Sequence, residues 1–256
     1  MTTHDNHWTS AITQIKPDEV RLRGYRIEDL MGRLTFAGAI YLALTGTLPP
    51  DGAARLLDAI LVSSIDHGVT PPSTLAARTA ASTGAPLNAA VAAGILSINR
   101  HHGGAIEDSM RLILDVVQAG GDAAALVSAY RSSGRRIPGL GHRIHTADPR
   151  AARLFTLAEE AGVAAQGVRA IQDIAAALAE QTGRALPVNV DGAIAAVLVD
   201  LDIAPELANA FFIMARVPGL VAHIHEEGTR QRPVRLIDPA DHDYDGPPPR
   251  EWPPGD

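Results

Sequence analysis

The feature of this chain that most restricts its fold is the spacing of its apolar residues. They recur at helical period in segments bounded by glycine and proline, and no stretch alternates apolar and polar beyond a few residues. Ala53, Leu56, Leu57, Ile60 and Leu61 fall at i, i+3, i+4, i+7 and i+8, one face of a helix that opens near Asp51. Ahead of it, Ile27 to Thr45 reads as one helix, ended by Gly46 and the Pro49-Pro50 pair, with Val20 to Arg23 as a short extended segment before a Gly24-Tyr25 turn. Two Ala-rich helices are predicted over about 73–83 and 86–98, with Gly84 between them, and another over 106–119, closed by Gly120-Gly121. The clearest start is Asp148-Pro149-Arg150: the aspartate caps free N–H groups, and proline takes the first helical position, where its missing donor does no harm. Leu154, Leu157, Ala158 and Ala161 share the next face, ended by Gly162. Ile171, Ile174, Ala175 and Leu178 mark a helix stopped by Gly183. Two more run through about 191–201 and 205–226, the second entered at Pro205 and disturbed at Pro218-Gly219.

The fold class read from this pattern is all-α, and the side chains agree with it. Apolar residues make up 46%, mostly Ala, Leu, Val and Ile, and aromatic residues only 4%, which suits closely packed helices better than a β-sandwich. A net charge of −7 without a basic stripe argues against a nucleic-acid partner, and it means that any anionic substrate must be met by locally gathered arginines. With no cysteine, thiolate catalysis and disulfides are excluded. The polar start lacks a signal-peptide pattern, and no apolar run reaches the length of about 18 residues that a membrane span needs, so a soluble, cytoplasmic protein is expected. Residues 246–256 carry five prolines and read as a tail.

Three places between helices combine histidine or aspartate with glycine: His101-His102-Gly103-Gly104, Pro138-Gly139-Leu140-Gly141-His142 and Asn189-Val190-Asp191-Gly192. Singly, each has a bland reading as a turn or, for Asp191, as a helix cap. Their order is more informative. Ile137 to His142 followed by Asp148-Pro149-Arg150 resembles the most recognisable signature of citrate synthases. His102-Gly103-Gly104 before it, Asn189-Val190-Asp191 after it, and then Ala215-Arg216, Ala222-His223 and Arg232-Pro233 extend the likeness over roughly residues 8–245.

That resemblance implies chemistry at the carbon beside a coenzyme A thioester. Such a reaction passes through an enol, which needs a base at the methyl carbon and donors at two carbonyl oxygens. By resemblance Asp191 exchanges the methyl proton, His102 hydrogen-bonds the enol oxygen as neutral imidazole, and His142 binds the carbonyl that becomes, or derives from, the tertiary alcohol. Arg150, Arg216 and Arg232 would hold the substrate carboxylates, Arg232 from a second subunit, with His67 as a further keto-acid ligand. Coenzyme A would lie along Ile137, Pro138, Gly139, Leu140 and Gly141, with Arg135, Arg136 and Arg143 near its phosphates. Coenzyme A thioester is then a substrate, and no metal or redox cofactor is implied.

A competing reading, a metal site at His223, His225, Glu226 and Glu227, is disfavoured because helix positions i and i+2 point apart. His101, His145, Arg230 and Arg235 are read as ordinary polar or solvated residues. The start Asp66-His67-Gly68 looks like citryl-CoA lyases and the citryl-CoA-cleaving module of ATP-citrate lyase, and the chain is shorter than a typical citrate synthase. The favoured expectation is therefore a citryl-CoA lyase giving acetyl-CoA and oxaloacetate. A compact citrate or 2-methylcitrate synthase and a non-catalytic acyl-CoA-binding subunit are the alternatives. The resemblance also implies a homodimer, a large helical domain from residues 1–104 and 201–245, and a smaller helical domain at 105–200.

Overall fold

The structure is a computed structural model that describes residues 8–141 and 146–252. His142, Arg143 and His145 therefore lie outside the described residues. A three-stranded antiparallel meander comes first: β1 (Thr13–Lys16), β2 (Glu19–Leu22) and β3 (Tyr25–Arg26), in register from Thr13 opposite Leu22 to Lys16 opposite Glu19. It widens the single extended segment expected near Val20 into a small sheet. Arg23 anchors it, because its guanidinium donates from Nε and Nη2 to the Ala43 carbonyl near the end of the second helix.

Eleven α-helices follow among the described residues: α1 (Ile27–Leu30), α2 (Phe36–Thr45), α3 (Ala53–Ser63), α4 (Pro72–Ser82), α5 (Leu87–Leu96), α6 (Ala105–Gln118), α7 (Ala123–Ser132), α8 (Pro149–Glu160), α9 (Gln166–Thr182), α10 (Val190–Asp200) and α11 (Ala208–Arg230). The helix expected over 27–45 is two. Gly32 sits at φ 76°, where the chain turns, and the Thr35 side chain accepts from Gly38 N to start α2 afresh. Helix α7, absent from the sequence reading, is capped by Asp122, whose side chain accepts from Ala125 N. Helix α11 continues through Pro218 to Arg230 instead of ending near 226. The proline removes one backbone donor, and burial of Phe211 in the main core and of Leu220 and Ile224 in a second one outweighs that loss.

Two helices organise the packing. Helix α10 is buried almost all round, from Val190 through Leu198, and α6, α8 and α9 pack against it; an apolar helix of this kind belongs in a core. Helix α11 carries α4 and α5, with Ala77, Ala90, Leu220 and Ile224 in a second small core, and also touches α3 and α6. The stretch Pro205–Arg230 contains a window of mean hydropathy 1.5, long and apolar enough by composition to cross a membrane, contrary to the sequence reading. Here that stretch carries Arg216 and Glu227, both buried, into polar contacts inside the protein.

Candidate active site

The start of α10 is built by the glycine loop before α8. Asn189 caps α10 by accepting from Gly192 N, donates its amide nitrogen to the Gly141 carbonyl at 2.9 Å, and donates its backbone N–H to the Gly139 carbonyl at 3.0 Å. Gly141 N in turn donates to Pro187 O, and Leu140 bridges to Val188. Gly139, at φ 79°, lies so close to Gly192 that a Cβ on either would collide with the other's backbone. The glycines of the Ile137–Gly141 run thus let this loop press onto the first turn of α10, which carries Asp191.

A second loop is held by α11. Arg216 donates from Nε to Ser64 O at 3.0 Å, Gly219 lets the Ile65 carbonyl lie against the helix, and His223 Nε2 meets Asp66 Oδ1 at 3.0 Å. Asp66 also accepts from Gly68 N, closing the turn that carries His67. His223 therefore positions the His67 loop. Among the described residues no group of three or more His, Asp or Glu is placed to share a metal ion.

The third element is the turn from Asn99 to Gly104. Asn99 and His102 exchange backbone hydrogen bonds, and Gly103, at φ 91°, leaves no room for a Cβ beside the Phe212 ring. The His102 ring stands edge-on to Phe212 at 5.8 Å, and its Nε2 lies 2.8 Å from the hydroxyl of buried Ser73 on α4. Burial first, then the Arg216 charge and His67, hold the His102 pKa below its ordinary value, so the ring is neutral at pH 7.

These elements enclose a cleft of about 260 Å³, lined by Ser64, His67, Arg100, His101, His102, Gly103, Ala105, Arg150, Asn189, Val190, Asp191, Phe212 and Arg216. Arg216 is 3% exposed and stacks on the Phe212 ring at 4.7 Å, and its Nη1 is buried without a partner among the described residues. A buried guanidinium N–H left unpaired is costly, so this atom is an open place for an anionic oxygen. Arg150 is held by Asp148, which accepts from its Nε at 3.0 Å and its Nη2 at 2.9 Å. Burial raises the Asp191 pKa above its ordinary value; Arg150 and Arg216 act against that rise and Asp148 adds to it. The His67 pKa is lowered, first by burial and then by Arg150 and Arg216.

The structure brings together His67, His102, Arg150, Asp191 and Arg216 from five separate stretches of chain. It does not bring Arg232 into the cleft of the same chain; that residue is exposed beyond α11. Arg135 and Arg136 are exposed outside the cleft lining, and Arg135 lies over the Tyr130 ring at 4.5 Å. His142 and Arg143 fall outside the described residues. His101, read as an ordinary polar residue, lines the cleft, as does Arg100, which the sequence reading passed over. Arg235, read as a solvated charge, is instead bound from Nε and Nη2 to the buried carboxylate of Glu227, which also accepts from Arg78 Nε at 2.6 Å. Arg230 pairs with Glu226 on the helix surface.

Known proteins share this fold. The family model of the citrate synthase C-terminal domain matches residues 49–239. A citryl-CoA lyase from Hydrogenobacter thermophilus superposes with TM-score 0.92 at 44% identity, covering 96% of this chain and 97% of that one. A citrate synthase from Pyrobaculum aerophilum superposes with TM-score 0.68 at 29% identity, covering 86% of this chain and 55% of that one. A putative citrate synthase 2 from Mycobacterium tuberculosis is 36% identical over 200 residues, 76% of this chain and 52% of that protein. The chain thus spans about half the length of the curated relatives it matches. Helical architecture, a cleft that gathers His67, His102, Arg150, Asp191 and Arg216, and a family match over most of the sequence lead to one conclusion: the chain belongs to the citrate synthase family.

Proposed function

We propose that this protein is a citryl-CoA lyase, splitting citryl-CoA into acetyl-CoA and oxaloacetate. The observation that carries the reading is the pairing, in one cleft, of a buried arginine nitrogen without a partner with a carboxylate whose pKa is raised. Arg216 and Arg150 would bind the carboxylates of the oxaloacetate half. The alcohol, on the oxygen that the family resemblance has His142 bind, gives up its proton, and the carbon–carbon bond breaks. The electron pair then moves into the thioester as an enolate. This reading takes the tautomer in which the Ser73 hydroxyl donates to His102 Nε2, so that the other ring nitrogen carries the proton and donates to the enolate oxygen. Asp191, kept protonated further up the pH scale by its burial, delivers its proton to the terminal carbon and so forms the acetyl methyl group.

Preference for lyase over synthase is supported by the 44% identity and TM-score of 0.92 to a citryl-CoA lyase, against 29% and 0.68 to a citrate synthase. We propose further that coenzyme A lies along Ile137–Gly141, that the cleft separates a large from a small helical domain, that the protein is a cytoplasmic homodimer, and that Arg232 enters the neighbouring site. No metal, nucleic acid or membrane takes part in this reading. The test is to incubate the protein with citryl-CoA and identify the products by mass spectrometry. Acetyl-CoA with oxaloacetate is the expected result. Citrate with free coenzyme A would assign the chain to the synthases, and surviving citryl-CoA would refute the proposed activity.

A further inference from the structure

Asp148 begins α8 as a helix cap, yet its carboxylate is 3% exposed and does more than cap. Oδ1 accepts from Arg150 N and Nε, each at 3.0 Å, while Oδ2 accepts from Arg150 Nη2 at 2.9 Å and from Val190 N at 3.0 Å. One edge of the Arg150 guanidinium is thereby fixed and its Nη1 is left over. The same carboxylate satisfies a backbone donor in the first turn of α10, one residue before Asp191. Two elements 42 residues apart in sequence are tied at a single group.

We propose that Asp148 is a positioning residue whose buried carboxylate locks the substrate-binding Arg150 and the Asp191 turn of α10 into one unit. The proposal rests on the lyase reading for what the two groups do, and on the hydrogen bonds alone for the lock. Among the described residues, the groups facing Asp191 are Asp148 and Arg150 from α8, Arg216 from α11, and His67 and His102 across the cleft. Burial raises the Asp191 pKa; Arg150 lowers it, Asp148 raises it and Arg216 lowers it. Removing the Asp148 charge therefore lowers it.

Asp148→Ser separates the lock from the cap, because serine also caps helices well. Losing a charge-assisted hydrogen bond from a freed Arg150 to a substrate carboxylate weakens binding, so the expected rise in KM for citryl-CoA, and in Kd for oxaloacetate measured by calorimetry, is about ten- to a hundredfold. The alkaline limb of the cleavage rate, where Asp191 loses its proton, moves to lower pH, which loss of a cap alone would not produce; the melting temperature falls as well, because a buried pair is broken. A lowered melting temperature with unchanged oxaloacetate affinity and an unchanged alkaline limb would overturn the proposal and leave Asp148 a structural cap. Should the serine variant not fold, Asp148→Asn, closer in shape and also a cap, is read in the same way. Failure of the parent protein to cleave citryl-CoA would sink the lyase reading, and the calorimetric arm would still decide the lock.

Discussion

Asp191 serves two ends that conflict. In the proposed mechanism its carboxyl holds a proton where a free aspartate would not, and the burial that raises its pKa makes its charged form unfavourable in the folded protein. A group whose folded pKa lies above its unfolded one binds its proton more tightly when folded. Stability then falls as pH rises from the unfolded value, about 3.9, through the folded value, and the full cost is present above both. Asp191→Asn should accordingly abolish cleavage yet raise the melting temperature at neutral pH, with the gain fading toward the acid side of the ordinary aspartate range. Thermal melts of parent and variant across pH check this; a gain that is absent, or equal at every pH, would contradict it. At this scale the sequence was informative where a residue type is tied to its local motif. Asp191, His102, Arg150 and Arg216 all line the cleft. It was uninformative where a role depends on distant partners. Asp148 was legible as a cap, but its bond to Val190 spans 42 residues, and Arg235 meets a buried Glu227 that periodicity does not reveal as an ion-pair partner.

Elements matter here mainly through where they end. Two of the five cleft groups lie on helix-flanking segments, His67 after α3 and His102 before α6, and Arg150 sits in the first turn of α8. Asp191 sits in the first turn of α10, and only Arg216 comes from a helix interior. The glycine loop positions α10 by direct backbone contact, so Gly192→Ala should push Gly139 away and move Asp191 with it. Loss of most activity is expected, because a displacement of about 1 Å at a reacting group costs on the order of a hundredfold. Cleavage rates near the parent's would show that the contact yields without moving the site. The helices themselves were legible because a 3.6-residue apolar period persists through most of them. The exceptions have physical reasons. Gly32 and the Thr35 cap divide a pattern whose apolar residues run on without a break, so one expected helix is two. The first strand exposes all four of its residues, Ile15 among them, and the alternation of Glu19, Val20, Arg21 and Leu22 in the second is only four residues long, too short to mark a sheet. Helix α7 was legible in principle, from Asp122 as its cap and the Ala-rich run behind it, but it buries only Ala123 and Val127.

Across the whole molecule, the fold fastens its last segment to the body by charge. Glu227 on α11 joins Arg78 on α4 to Arg235, and Val234 N and Arg235 N both bond Ser82, in the last turn of α4. Arg232 lies in the segment so fastened. Breaking a buried pair by removing one partner costs about 3–5 kcal/mol. Glu227→Ala should therefore lower the unfolding free energy obtained from urea titration by an amount of that order, and a change below about 1 kcal/mol would show the cluster to be dispensable. The proposed lyase chemistry turns on protonation of the enolate by Asp191. Running the cleavage in heavy water, with deuterium in the acetyl-CoA followed by mass spectrometry as it forms, tests that step. One deuterium is expected in the methyl group of each newly formed acetyl-CoA, with oxaloacetate as the co-product and no cleavage by Asp191→Asn. Citrate with free coenzyme A, or cleavage that persists in Asp191→Asn, would contradict that chemistry.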